Sequence, residues 1–404
     1  MEIPEKKRFK NLDGLRFIAA FFVIIGHCQH VLIEKGRAAF GNTYTVYSPF
    51  ADKLANFGVD FFYVLSGFLI SYLLIVEIEQ NKSIDIRRFY IRRGLRIWPL
   101  YFAFGLTGLI FGKFFTNWLD YYAEIPYTIK DFGSNLFFLT TFSINIQTLI
   151  GYQTPVSSLM VGHFWSLGIE EQFYLIWAPA MYLFRKNIWI IIIIFITIGL
   201  ICNQIPPESV NQYFHYFFTP NRFYHFGIGA ALAYGIRLFQ NDATKIITQK
   251  YRDYFEKKFS SVTHLISTNY FKFSFSIALQ LIFLVPTCQY LFGNFHYTTF
   301  ERTAHGYISV GIICVAITKF SVFECLFLES KAIKYLGKIS FGIYIFHLIT
   351  IYICFKLLTN CGFYPFTTLF YWLLPLCSTV LTVLLSAISY QFFELYFLRK
   401  KEKM

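Results

Sequence analysis

Residues 188–202 read IWIIIIIFITIGLIC, an apolar run without one charged group. Water is a poor solvent for such a surface, so lipid or protein must cover it. A helix needs about 20 largely apolar residues to cross about 30 Å of hydrocarbon. By that measure the 404-residue chain holds ten candidate spans: 15–33, 58–76, 97–115, 164–184, 188–204, 222–239, 273–293, 304–320, 340–358 and 367–393. Composition agrees. Only 15% of residues are charged and 56% are hydrophobic, against about 25% charged in soluble domains. The expected fold is an all-α integral membrane domain covering 1–404, not a set of soluble domains and not a disordered chain.

The formal charge of +13 invites a nucleic-acid reading, but its placement argues otherwise. Twenty-seven of the 36 basic residues fall in the N-terminal segment, in alternate loops and in the C-terminal tail. The positive-inside rule then puts both termini in the cytoplasm, and no nucleic-acid partner is implied. The first span is expected to be retained, because no small-x-small cleavage pattern follows it promptly. The inter-span segment at about 240–272 is expected in the cytoplasm. The outer segment 116–163, with Trp118, Tyr121, Tyr122, Tyr127 and Phe142, is expected to lie on the membrane as a lid. No two of the eight cysteines form a C-x-x-C pair and no H-E-x-x-H occurs. Neither a metal site nor a disulfide framework is expected.

Ionisable groups inside spans are costly and therefore informative. Arg16 and His27 lie eleven residues apart on the first span. That is about 16 Å along a helix and close to three turns, so they share one face. Arg16 fits a snorkelling interfacial residue as well as a site residue, and His27 fits a helix-packing bond as well as a base. Depth counting puts His27 about 18 Å from the inner edge. Glu170 and Glu171, in FWSLGIEEQFYLIW on the fourth span, and Ser66, in YVLSGFLI on the second, come to a similar level. Tyr63 and Trp165 are candidate walls of the same layer. A carboxylate near an imidazole orients it and stabilises its protonated form, a setting for general-base work on a hydroxyl. Adjacent helical residues point about 100° apart, so only one glutamate is expected to face the site.

At the inner mouth of the third span, RRFYIRRGLRIWPLYF clusters Arg87, Arg88, Arg92, Arg93 and Arg96. Arg93 and Arg96, three residues apart, are neighbours on one helix face. Paired guanidinium forks suit phosphate oxygens; anchoring to anionic lipid uses the same residues. His347, in GKISFGIYIFHLI, falls about 10 Å into the ninth span, nearer the cytoplasm than His27. It either lines the lower part of a donor tunnel or bonds a neighbouring helix. The other histidines, His163, His225 and His305 among them, are expected at surfaces or in loops.

In this order, LDGLRFIAAFFVIIGH, GVDFFYVLSGFLI, IRRGLRIWPLYF, FWSLGIEEQFYLIW and GKISFGIYIFH resemble the acyltransferase family 3 membrane proteins, which include bacterial glycan O-acetyltransferases. The likeness runs from Asn11 to about Glu394. It implies an acyl-CoA donor, by default acetyl-CoA, arriving from the cytoplasm, and no permanently bound cofactor. It also implies a hydroxyl acceptor on an envelope glycan or lipid-linked saccharide, and residence in the inner (plasma) membrane among its lipids. The histidine of Arg16-x10-His27 becomes essential, and Arg93 and Arg96 help hold the donor. The family often closes its last span with Glu-Arg-Pro; FELYFLRK keeps only Glu394. No C-terminal hydrolase-like domain is expected. Two competing readings are a transporter or flippase of lipid-linked glycan, with the buried charges as its pathway, and an assembly subunit of an envelope complex.

Overall fold

The computed structural model describes Phe9 and residues 11–41, 49–205, 213–240, 297–318 and 327–402. Among the described residues the regular elements are helical and no strand occurs. In chain order they are α1 (Asn11–Phe40), α2 (Pro49–Asn81), α3 (Ile86–Trp118), α4 (Ile129–Thr140), α5 (Ile144–Leu149), α6 (Pro155–Val161), α7 (Trp165–Leu183), α8 (Ile188–Asn203), α9 (Phe214–Phe217) and α10 (Phe223–Gln240). After them come α11 (Tyr297–Thr318), α12 (Lys331–Lys338), α13 (Ser340–Asn360), α14 (Thr368–Ser389) and α15 (Leu395–Glu402). A helix stands at nine of the ten expected spans; the seventh, 273–293, and the inter-span segment from 241 onward lie outside the described residues.

Five helical stretches are long and apolar enough to cross a membrane: Asn11–Phe40, Lys53–Asn81, Ile86–Trp118, Ser340–Asn360 and Thr368–Lys401. Ile188–Asn203 is apolar but shorter. This is a membrane protein. Several helices outrun the expected bounds because a helix satisfies its own backbone and need not end where the hydrocarbon does. α3, for example, begins at Ile86 rather than near 97. The Asp85 carboxylate there accepts the Arg88 backbone N–H at 2.9 Å and caps the first turn. The arginine cluster therefore rides on a helix.

The chain divides into two compact units. The first comprises Met1–Val59, Asp85–Gln172 and Cys325–Met404. In it α13 packs on α14 and on α1, and α6 packs on α3. The segment 116–163, expected as a surface lid, is not exposed throughout: Ile129 and Phe137 of α4 are exposed, whereas α6 is not. Val156, Leu159, Met160 and Val161 of α6 are buried. Gly108 and Gly112, one turn apart on α3, open the groove that takes them: a Cβ at Gly112 would stand 2.3 Å from Val156 Cγ1. Thr128 and Asp131 close a capping box at the start of α4. The Thr128 bonds hold the Asp131 carboxyl below the usual carboxylate range.

The second unit comprises Asp60–Ile84 and Phe173–Glu324. Its core is aromatic: the Phe173 and Phe226 rings stack at 3.9 Å, with Trp177 and Phe195 edge-on at 4.8 Å. Trp177 Nε1 donates to Ser71 Oγ at 2.9 Å. Tyr63, fully buried, packs 5.0 Å from Phe226. Ser66 Oγ accepts from Tyr174 OH at 3.3 Å. Small residues let backbones approach without hydrophobic drive, as membrane packing requires; a Cβ at Gly229 would meet Val64 O at 2.1 Å.

Candidate active site

α1 and α13 advance side by side in the same direction, because two contacts climb both helices together. His27 meets His347, and further along both helices, seven residues on in α1 and five in α13, Glu34 meets Tyr352. The imidazoles of His27 and His347 lie 4.9 Å apart by centroid, with His347 Nε2 3.1 Å from His27 Nδ1. Depth counting had placed His347 nearer the cytoplasm; the structure brings the two rings together. α12, just before α13, docks on α1 so closely that a Cβ at Gly337 would stand 2.0 Å from Asp13 O.

Hydrogen-bond partners assign the protons on this pair. His347 Nδ1 lies 2.6 Å from Tyr344 O. A carbonyl only accepts, so Nδ1 carries the hydrogen and the neutral ring keeps its lone pair on Nε2. His27 Nδ1 faces that lone pair at 3.1 Å and Val23 O, also at 3.1 Å. Both are acceptors, so His27 Nδ1 is the protonated nitrogen. The lone pair of the neutral His27 ring is then on Nε2.

A third imidazole backs the pair. His163 is buried, and its ring meets that of His347 edge-on at 4.9 Å. His163 Nε2 donates to Ile345 O at 3.0 Å. Tyr344 OH donates to His163 O at 2.7 Å and receives the Ser166 hydroxyl. Sequence reasoning left His163 in a loop. The available signal was its place directly before FWSLGIEE, and the 3-10 turn Gly162–Phe164 carries it inward.

The remaining candidates separate. Arg16 Nη1 pairs with Asp13 Oδ1 at 2.8 Å, one turn below it on α1. Glu171 Oε2 accepts Trp98 Nε1–H at 3.1 Å, with Glu170 and Arg93 as its electrostatic neighbours. Trp165 opens α7, partly buried. Arg96 lies near Glu394, which is buried and accepts Ser389 Oγ–H at 3.2 Å. Arg16, Arg92, Arg93 and Arg96 all act on Lys401, whose helix α15 packs along α3. Basic residues of the first, third and last helices thus share one neighbourhood. Ser66 and Tyr63 belong to the second unit. Among the described residues, no group of three or more His, Cys, Asp or Glu is placed to hold a metal ion.

Sequence reasoning also missed a polar cluster buried in the second unit. Asp60 Oδ1 accepts from Arg222 at 2.6 Å, and Asp60 Oδ2 stands 2.8 Å from His305 Nδ1 and 3.6 Å from His225 Nε2. Arg302 Nη1 donates to Asn203 Oδ1 at 2.7 Å. Asp60 fell inside an expected span, and that alone was a signal.

An all-helical membrane fold with buried imidazoles above a basic mouth defines a class, and sequence comparison names it. The model of acyltransferase family 3, described as an acyltransferase domain, matches residues 9–391. The chain belongs to this family. It is 29% identical to the peptidoglycan O-acetyltransferase OatA of Listeria monocytogenes, over 45% of this chain and 25% of that protein. It is 26% identical to the putative peptidoglycan O-acetyltransferase YrhL of Bacillus subtilis, over 55% and 32%. It is 25% identical to the O-acetyltransferase OatA of Staphylococcus aureus, over 83% and 49%. The chain spans at most about half the length of these relatives. No solved structure matches it.

Proposed function

We propose that this chain is an O-acetyltransferase of the inner (plasma) membrane, acting as one ten-span domain with both termini in the cytoplasm. It moves an acetyl group from cytoplasmic acetyl-CoA to a hydroxyl of an envelope glycan. Peptidoglycan, on which the relatives' names place their activity, is the first acceptor to test. The observation that carries the reading is the proton assignment on His27: with Nδ1–H held by Val23 O and His347 Nε2, Nε2 is the basic atom.

In the reaction, His27 Nε2 takes the proton of the acceptor hydroxyl as its oxygen attacks the thioester carbonyl carbon. The tetrahedral intermediate collapses, the C–S bond breaks, and the leaving CoA thiolate takes the proton from the imidazolium. The products are an O-acetyl ester and CoA. A covalent variant uses the same lone pair to form an acyl-imidazole, which the acceptor then relieves. An acylated chain that disappears in His27→Ala distinguishes the two. Arg93 and Arg96 hold the phosphates of the donor, and an extended phosphopantetheine arm crosses the roughly 17 Å to His27. Glu171, near Arg93, lies beside the donor path.

His347 is assigned here to His27 rather than to the donor. Replacing it by Phe leaves His27 Nδ1–H without its side-chain acceptor. Loss of one such bond is worth about 1–3 kcal/mol, so kcat is expected to fall about 10- to 100-fold with the KM for acetyl-CoA unchanged. A raised donor KM with normal kcat would return His347 to the donor tunnel. Arg93→Ala is expected to do the reverse, raising the KM for acetyl-CoA about 10-fold or more through loss of a charge-assisted bond. Equal loss at all donor concentrations would contradict that role.

The test is incubation of membranes carrying the chain with labelled acetyl-CoA and peptidoglycan glycan, reading CoA release and label on glycan. Absence of transfer, with movement of lipid-linked glycan that survives His27→Ala, would make the chain a transporter.

A further inference from the structure

The face of α1 that carries His27 continues outward, away from Arg16. His30 and Glu34 follow at the third and seventh residues beyond His27, so all three lie along one side of the helix. Glu34 stands about 10 Å above His27 at 1.5 Å per residue. Its Oε2 accepts Tyr352 OH at 2.6 Å, and among the described residues its Oε1 accepts no hydrogen bond. Tyr121 packs edge-on against Tyr352 at 5.1 Å.

Tyr121 belongs to a turn that follows α3 and is tied down to an unusual degree. Lys35 Nζ donates to Asp120 O at 3.0 Å. Lys356 Nζ donates to Trp118 O and, at 3.0 Å, to Asp120 Oδ2. Lys113 Nζ donates to Ala123 O at 2.6 Å and Ile125 O at 2.7 Å. Three helices thus spend a lysine each on one short turn. The turn also holds two non-glycine residues in the left-handed region, Asp120 at φ 51° and Tyr122 at φ 45°. Such conformations cost energy, persist where surroundings over-determine them, and cluster at ligand sites. Their result is to leave Trp118 39% and Tyr122 48% exposed beside Glu34's helix.

We propose that this turn and Glu34 form the acceptor subsite, taking a neutral saccharide ring whose apolar face lies on Trp118 or Tyr122 and whose hydroxyl donates to Glu34 Oε1. The assignment rests on the acetyltransferase reading above and supplies its second substrate. The chemistry selects the ligand class. A carboxylate oxygen in need of donors, next to two partly exposed aromatic rings, with Lys356 Nζ 5.8 Å from the Trp118 centroid and Tyr121 edge-on to Tyr122 at 5.0 Å, suits a polyol. An anionic ligand would want the three ammonium groups, and those are engaged by the turn itself. The subsite lies on the opposite side of His27 from the basic mouth, so donor and acceptor approach the imidazole from opposite ends.

The experiment uses the full chain in proteoliposomes, labelled acetyl-CoA and soluble glycan fragments released from peptidoglycan. Glu34→Gln, which still accepts from Tyr352, and the double variant Trp118→Ala/Tyr122→Ala are each expected to raise the KM for glycan about 10-fold while the KM for acetyl-CoA stays as in the parent. Unchanged glycan KM in Glu34→Gln would overturn the proposal. So would a double variant whose only defect is poor membrane insertion, since Trp118 and Tyr122 would then be interfacial anchors. Quenching of tryptophan fluorescence by the fragments without donor separates the two readings. Binding that is lost in Glu34→Gln, with no transfer by the parent chain, would sink the enzymatic reading and keep the subsite.

Discussion

His27→Ala is expected to lower glycan acetylation by about 10³-fold, within the 10²–10⁴ that a positioned general base supplies. That corresponds to about 4 kcal/mol in the barrier. The loss should appear in kcat at saturating acetyl-CoA, because the arginines proposed to hold the donor, Arg93 and Arg96, belong to α3 and not to the helix that carries His27. Folding should survive. The substitution removes a partly buried ring that bonds Val23 O and His347, and His347 keeps its own bond to Tyr344 O. Insertion, detergent-extracted size and melting temperature are the controls. Activity within threefold of the parent, in a variant that inserts normally, would remove His27 from the reaction.

The helical membrane fold was legible because burial in lipid imposes a length and a composition on each span, and both are local properties of sequence. The short helices α4 to α6 were not. α6 seats on Gly108 and Gly112 of α3 and Leu139 of α4 on Gly105, a groove that hydropathy does not register. The site shows the same division. His27 stood out as an ionisable group in an apolar run. His163 did not, because its partner carbonyl on Ile345 lies 182 positions away in the chain. Trp98 donates to Glu171 across 73 positions, a neighbour that helical azimuth alone does not reveal. The outer turn was flagged for its aromatic residues, but the lysines that hold it come from three helices, so no stretch of sequence reveals the clamp.

The largest stability effect is expected away from the histidines, at Asp60. Its carboxylate is 2% exposed and faces Arg222 at 2.6 Å, His305 at 2.8 Å and His225 at 3.6 Å. Arg222 is itself buried, donates to Tyr216 O at 3.2 Å and lies over the Tyr216 ring at 5.7 Å. Asp60→Ala removes the carboxylate that faces that guanidinium and leaves a buried positive charge. Breaking such a pair from one side costs about 3–5 kcal/mol. Thermal unfolding of the full chain in detergent should show a large fall in midpoint. Replacing both members, as Asp60→Leu with Arg222→Met, should restore much of it, because the penalty comes from the stranded charge rather than from the loss of the pair. A double variant as unstable as the single one would mean that the two histidines and Tyr216, not the Asp60–Arg222 pair, carry the structure of this cluster.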